Sequence, residues 1–219
     1  MKLFAEKGSY RANKILVVAE LAGLEIEVPS FVLGKDNRSD EFRKSNPSGR
    51  IPALITDKGT VFESNAIARF VARVRNDKAL YGRTFQETGV VDSWIEFCTH
   101  ELEVPLCAWV YPKQGLLEES PATRKNAMEE VGNALTDLDR HLRGREWVVG
   151  DSVTLADVCL AVSMSDAYRL VFDEAFLTPF PEVLRWLRKC FDLPAFQKVL
   201  GNLKLGVKET ANSGSEAAG

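Results

Sequence analysis

Apolar residues recur along this chain with two periods, and the place where one gives way to the other divides it. In the first third, short β-rich runs alternate with helical spacing. Lys2 to Ala5 reads as a strand, and Ile15, Val18, Ala19 and Ala22 then return every three or four residues until Gly23, a natural helix-ending residue. Glu25 to Val32 alternates and predicts another strand. Ser39 to Ser45 carries Phe42 among charges and predicts a short exposed helix. Ala53 to Thr56 and Thr60 to Phe62 predict two strands joined by Asp57-Lys58-Gly59, whose glycine supplies the positive φ of a three-residue hairpin. Ser64 stands where a helix N-cap belongs, and Ile67, Phe70, Val71 and Val74 follow at i, i+3, i+4, i+7.

Beyond Asn76 to Gly82, a stretch without apolar period that reads as a linker, strand signals vanish. A long helix is predicted from about Gln86 towards Ala108, with Val91, Trp94, Ile95, Cys98 and Leu102 on one face. Val90, Phe97 and Val104 form a second apolar row, as if it buried two sides, one against a dimer partner. Pro105 should end or kink it. After Ser120-Pro121, Met128, Val131, Leu135, Leu138 and Leu142 keep 3-4 spacing; barely two heptads point to core packing and not to a coiled coil. Thr154-Leu155-Ala156-Asp157 reads as a capping box, with Val153 and Val158 placed as a hydrophobic staple. Pro181 and Pro194 introduce two further short helices. From Gly206 onward no apolar period remains and the composition predicts disorder. The division is therefore 1–76 for the mixed part, 77–87 for a linker, 88–205 for an all-helical part and 206–219 for a tail.

Composition narrows the chemistry more than the fold. The 219 residues are 45% hydrophobic and 27% charged, as in an ordinary globular protein. A formal charge of −3 offers no net positive field, which argues against direct nucleic-acid binding or an anionic membrane surface. No apolar run is long enough to span a bilayer, and Lys2, Glu6 and Lys7 interrupt the start too early for a signal-peptide core, so a cytoplasmic location is expected. Cys98, Cys107, Cys159 and Cys190 form no Cys-x-x-Cys pair, and His100 and His141 are the only imidazoles. The expectation is no metal site and four reduced cysteines packed as small apolar residues.

Candidate chemistry concentrates between Ser48 and Ala72. Pro52 opens a strand, where its missing N–H matters least, and an X-Pro bond at such a bend is a usual place for a cis peptide. The first turn of the helix after Glu63 aims free N–H groups and a partial positive charge at whatever lies above the strand ends, which suits a carboxylate. Arg50-Ile51-Pro52-Ala53-Leu54, then Phe62-Glu63-Ser64-Asn65-Ala66-Ile67, resembles the glutathione-site motif of the glutathione S-transferase superfamily. The resemblance implies a thioredoxin-like domain followed by an all-helical domain. It implies that Ile51 bonds the cysteine backbone of glutathione or a related thiol around cis-Pro52, that Glu63 and Ser64 hold its γ-glutamyl end, and that Arg50 adds a contact. Members activate the thiol with a hydroxyl or thiol near the first helix start. Ser9 is the nearest positional match and Tyr10 the next, although Arg11 stands where a Pro often follows the catalytic serine.

A further similarity, to the amino-terminal domain of the elongation factor 1 gamma family, runs through nearly the whole chain. It is carried by Tyr10-Arg11-Ala12, Glu41-Phe42-Arg43-Lys44, Phe62 to Ala68, Trp109-Val110-Tyr111-Pro112, Gly150 to Asp157 and Val199 to Leu205. That resemblance implies a docking domain that binds other subunits of the elongation factor 1 exchange complex, with weak transferase activity; a dedicated transferase is the alternative. Members carry a charged linker and a carboxy-terminal domain, and this chain stops where that linker would begin.

Overall fold

Residues 1–206 are described by a computed structural model. Three short strands, β1 (Lys2–Phe4), β2 (Ala53–Thr56) and β3 (Gly59–Phe62), form an antiparallel sheet in the order β1-β2-β3. Between β1 and β2 lie helix α1 (Tyr10–Ala22), a 3-10 turn (Asp36–Arg38) and α2 (Asp40–Ser45); α3 (Ser64–Val74) follows β3. Leu3 and Leu54 are fully buried beneath α1 and α3, whose Ile15, Val18, Ile67 and Val71 complete that core.

Three details depart from the sequence pattern. The segment Glu25 to Val32 is not a strand. Only Glu27 bridges Lys2, in parallel, through hydrogen bonds of 2.8 Å from Leu3 N–H and 3.1 Å to the Met1 carbonyl, and Pro29 has no N–H with which to extend the ladder. The hairpin turn holds two residues, since Gly59 already pairs with Thr56. Glu63, and not Ser64, is the N-cap of α3, with Ser64 its first helical residue.

The rest is helical: α4 (Phe85–Phe97), α5 (Val104–Val110), α6 (Pro121–Leu142), α7 (Leu155–Leu170), α8 (Glu174–Leu177), α9 (Pro181–Phe191) and α10 (Pro194–Leu200). The long helix expected to end or kink at Pro105 is interrupted just before it. A π-helical turn, Cys98–Glu103, joins α4 to α5, and Pro105 lies just inside α5. The wide turn places the register change where proline cannot bond the carbonyl four residues back. It also breaks the second apolar row, for Val90 and Phe97 lie half-buried against the core while Val104 is 67% exposed.

Helix α7 is the axis of the helical half, buried along most of its length. Its start is built by Asp157, whose Oδ2 accepts from Thr154 N–H and Oγ at 2.8 and 2.9 Å, while Oδ1 accepts from Val148 N–H and Trp186 Nε1, both at 2.9 Å. Helix α1 packs against α3 on one side and against α7 and α10 on the other, so one helix joins the sheet to the helical layer. Gly206 is not loose, for its N–H donates to the Tyr168 carbonyl at 2.9 Å. The remainder of the expected tail, 207–219, lies outside the described residues. All four cysteines are free; Cys107 alone among them is not fully buried.

Candidate functional site

A cleft of about 430 Å³ opens between the start of α1, the loop before β2 and the start of α3. Six of the seven residues singled out from the sequence line it: Ser9, Arg50, Ile51, Pro52, Glu63 and Ser64. Arg11, Asn37, Asn46 and Glu6 line it as well, and these were not singled out as contacts.

Each wall has a local cause. Ser9 is the N-cap of α1, in extended conformation, yet its hydroxyl makes no capping hydrogen bond to the helix, so that oxygen remains available. The second wall is a loop tied from within. Buried Asn46 donates from Nδ2 to the Arg50 carbonyl at 2.6 Å and accepts from Ser48 Oγ at 2.8 Å, while Asn37 Nδ2 donates to the Gly49 carbonyl at 2.9 Å. Gly49 has φ +61, and a Cβ there would stand 3.2 Å from the Asn37 carbonyl oxygen, so glycine is needed for both conformation and space. The Ile51–Pro52 peptide is cis, the isomer expected at this bend. The Asn-Pro-Ser-Gly run marks a turn in the sequence, but nothing in it says that Asn37, nine residues earlier, would brace the same loop.

Glu63 forms the third wall with φ 69, a region that non-glycine residues occupy at a cost of about 1–3 kcal/mol and mainly at functional sites. Its exposed carboxylate sits beside the first turn of α3, an acidic acceptor next to free helix N–H groups. The cleft thus offers an acceptor for a cationic group and a helix start for an anionic one, a combination suited to a zwitterionic amino-acid end.

Tyr10 is placed elsewhere. Its side chain is buried toward the helical layer, where its hydroxyl lies 3.4 Å from Glu103 Oε2 and 3.9 Å from Cys107 Sγ. Burial first, then the Glu103 and Cys107 charges, push this hydroxyl far above its ordinary range, so it stays protonated. The Arg11 guanidinium stacks 4.5 Å from the Tyr10 ring centroid and reaches the Tyr111 hydroxyl at 3.4 Å.

Behind the cleft lies a polar cluster that no sequence period revealed. Fully buried Lys14 donates from Nζ to Asn65 Oδ1 at 2.6 Å and to Glu103 Oε1 at 2.7 Å. Ser163 Oγ donates to the same Oε1 at 2.9 Å, and Asn65 Nδ2 donates to Thr99 Oγ1 at 2.9 Å. Burial raises the Glu103 carboxyl, but Lys14 and Ser163 outweigh it and hold it below its ordinary value. For Lys14 burial works downward, and the Cys159 thiol and Glu103 overcome it. Since burial pushes Cys159 itself up to about 11, Glu103 is the partner that counts at neutral pH.

Comparison with known proteins places this geometry. Residues 1–73 match the glutathione S-transferase N-terminal domain and residues 97–194 the glutathione S-transferase C-terminal domain. A probable elongation factor 1-gamma from Arabidopsis thaliana is 36% identical over 203 residues, 92% of this chain and 49% of that protein. Elongation factor 1-gamma from Carassius auratus is 37% identical over 208 residues, 93% of this chain and 46% of that protein. The chain therefore spans about half the length of these curated relatives. Among solved structures, a glutathione transferase from Phanerochaete chrysosporium in complex with oxidised glutathione aligns with a TM-score of 0.80 at 26% identity, over 90% of this chain and 93% of that one. Glutathione transferase F2 from Populus trichocarpa aligns with a TM-score of 0.83 at 20% identity, over 91% of this chain and 96% of that one, a likeness of fold alone.

Proposed function

The chain belongs to the glutathione S-transferase family, both of whose domains it matches, and on that premise we propose that it acts as the transferase-like docking domain of an elongation factor 1 gamma subunit. The observation that carries this reading is the identity of 36% over 92% of the chain with an elongation factor 1-gamma, against 20% and 26% with the two transferases of the same fold. In this role the domain docks the other subunits of the exchange complex in the cytoplasm and associates as a homodimer.

The cleft is read as a site for glutathione or a related thiol. The backbone of Ile51 beside Pro52 pairs with the cysteine of the tripeptide, the Glu63 carboxylate takes the γ-glutamyl ammonium, and the Ser64 helix start takes its carboxylate. Arg50 at the rim supplies an additional contact. Any activation of the sulfur falls to Ser9, whose hydroxyl is not spent on its own helix. With Tyr10 turned toward Glu103 and kept protonated, turnover is expected to be slow.

A dedicated transferase is the second reading, and the free Ser9 hydroxyl in the cleft favours it. The purified domain distinguishes the two when used as bait in native lysate, with mass spectrometry of the retained proteins, alongside a chromogenic conjugation assay. Retention of exchange-factor subunits with slow turnover is the expected result. Fast conjugation abolished by Ser9→Ala, with no translation factor retained, overturns it.

A further inference from the structure

We propose that Glu103 is a positioning residue for the thiol cleft: from the π turn of the helical half it holds in place the two helix starts that form the cleft's walls. The inference rests on the reading of the cleft as a thiol site. Neither Glu103 nor Lys14 lines the cleft, but the two connections that leave Glu103 end at Asn65 and Tyr10, each next in sequence to a residue that does, Ser64 and Ser9.

Two connections run from its carboxylate. Through Oε1 it takes Lys14 Nζ at 2.7 Å, Lys14 holds Asn65 Oδ1 at 2.6 Å, and Asn65 follows Ser64 at the start of α3. Through Oε2 it takes the Tyr10 hydroxyl at 3.4 Å, and Tyr10 follows Ser9 at the start of α1. The first connection is short and charge-assisted; the second is long for an O–H···O bond. The α3 side therefore carries most of the effect. It is reinforced from the same π turn, where Thr99 accepts from Asn65 Nδ2 at 2.9 Å. Ser163 of α7, at 2.9 Å, fixes the carboxylate from the far side.

Stability alone does not require this arrangement. A buried ion pair gives up hydration that its attraction only partly restores, and apolar residues of similar volume in its place are often neutral or stabilising. What apolar residues cannot supply is direction. A methionine at position 14 packs beside Asn65 but does not orient its side-chain oxygen, so the first turn of α3 loses the contact that aims its N–H groups into the cleft.

A paired substitution separates the two roles. Lys14→Met with Glu103→Leu removes both charges while keeping volume, and its thermal midpoint is expected to stay close to that of the parent. Calorimetry with glutathione should nevertheless show about tenfold weaker binding, the scale of an ordinary coupling between sites. Amide hydrogen exchange of Asn65 and Ala66 should be faster than in the parent. Should the paired variant fail to fold, Asn65→Ala cuts the same connection while leaving the ion pair intact, and the same two changes are expected. Parental affinity together with parental exchange in a folded variant overturns the proposal. If the parent itself fails to bind glutathione, the thiol-site reading is what fails, and the exchange rates at the α3 start still decide whether Glu103 positions it.

Discussion

Ser9 and Ser64 face the same cleft from two helix starts, but their surroundings assign them different work. Ser64 lies in the first turn of α3 beside Glu63, where a ligand carboxylate would meet helix N–H groups and a hydroxyl together. Ser9 presents a single hydroxyl not engaged by its helix. Ser64→Ala is accordingly expected to weaken glutathione binding by about 1 kcal/mol, roughly one lost hydrogen bond, measured by calorimetry. Ser9→Ala should leave the binding constant nearly unchanged and lower conjugation by a modest factor. Equal losses of affinity in both variants would contradict this division. At this scale the sequence was readable where residue type and backbone demand coincide, as at Ile51-Pro52, and less so at Glu63-Ser64, where the N-cap falls one residue before the serine and on a non-glycine residue with φ 69. It was silent on Lys14, which sits in an apolar helix face and whose partner Glu103 is 89 residues away.

Helix α7 shows what one carboxylate does for an element. Four donors converge on Asp157, two from Thr154, one from the Val148 backbone and one from the Trp186 indole, all between 2.8 and 2.9 Å. Thr154→Ala removes one of these donors and should cost about 1 kcal/mol, the usual value of a lost cap. Asp157→Ala strands the buried Val148 N–H and the Trp186 indole N–H as well, and about 3–5 kcal/mol is expected. Chemical denaturation of both variants checks the ordering; equal losses would mean that Asp157 acts only as a helix cap. The capping box itself was legible, because its two residues lie three apart. The links to Val148 and Trp186 were not, since no local pattern records a tertiary contact. Uniform helical spacing likewise concealed the π turn, because counting apolar residues assumes a constant number per turn. The expected strand from Glu25 failed for the opposite reason, a favourable alternation with no continuous neighbour to pair with beyond Glu27.

Across the whole molecule, α1 lies between the sheet and the helical layer, and Lys14–Glu103 is the most buried of the ion pairs at their junction, where Arg69 also meets Asp92 and Glu96 and Lys198 meets Glu20 among the described residues. Its pH dependence has a definite sign. Glu103 is held below its ordinary value when folded, so the unfolded chain takes up the proton first as pH falls. The stabilisation is present above the ordinary carboxylate value of about 4.3 and is lost as pH drops through the lowered one. Lys14 is held above its ordinary value, so its contribution persists through neutral pH and fades only in strong alkali. The thermal midpoint of the parent should therefore fall more steeply below about pH 4 than that of the Lys14→Met, Glu103→Leu variant, with parallel curves between pH 6 and 8. Superimposable acid limbs would show that the pair is not linked to folding.

The π turn carries a consequence of another kind, because it makes the number of residues between α4 and α5 a structural quantity. A π turn advances less per residue than the roughly 100° of an α-helix, so deleting the exposed His100 would let the segment close into an ordinary helix with α5 keeping nearly its present phase. Leu106, Trp109 and Val110, now buried, would stay turned toward the core. What such a deletion moves is the turn itself: Thr99 and Glu103 would change phase relative to each other and lose their common reach toward Asn65 and Lys14.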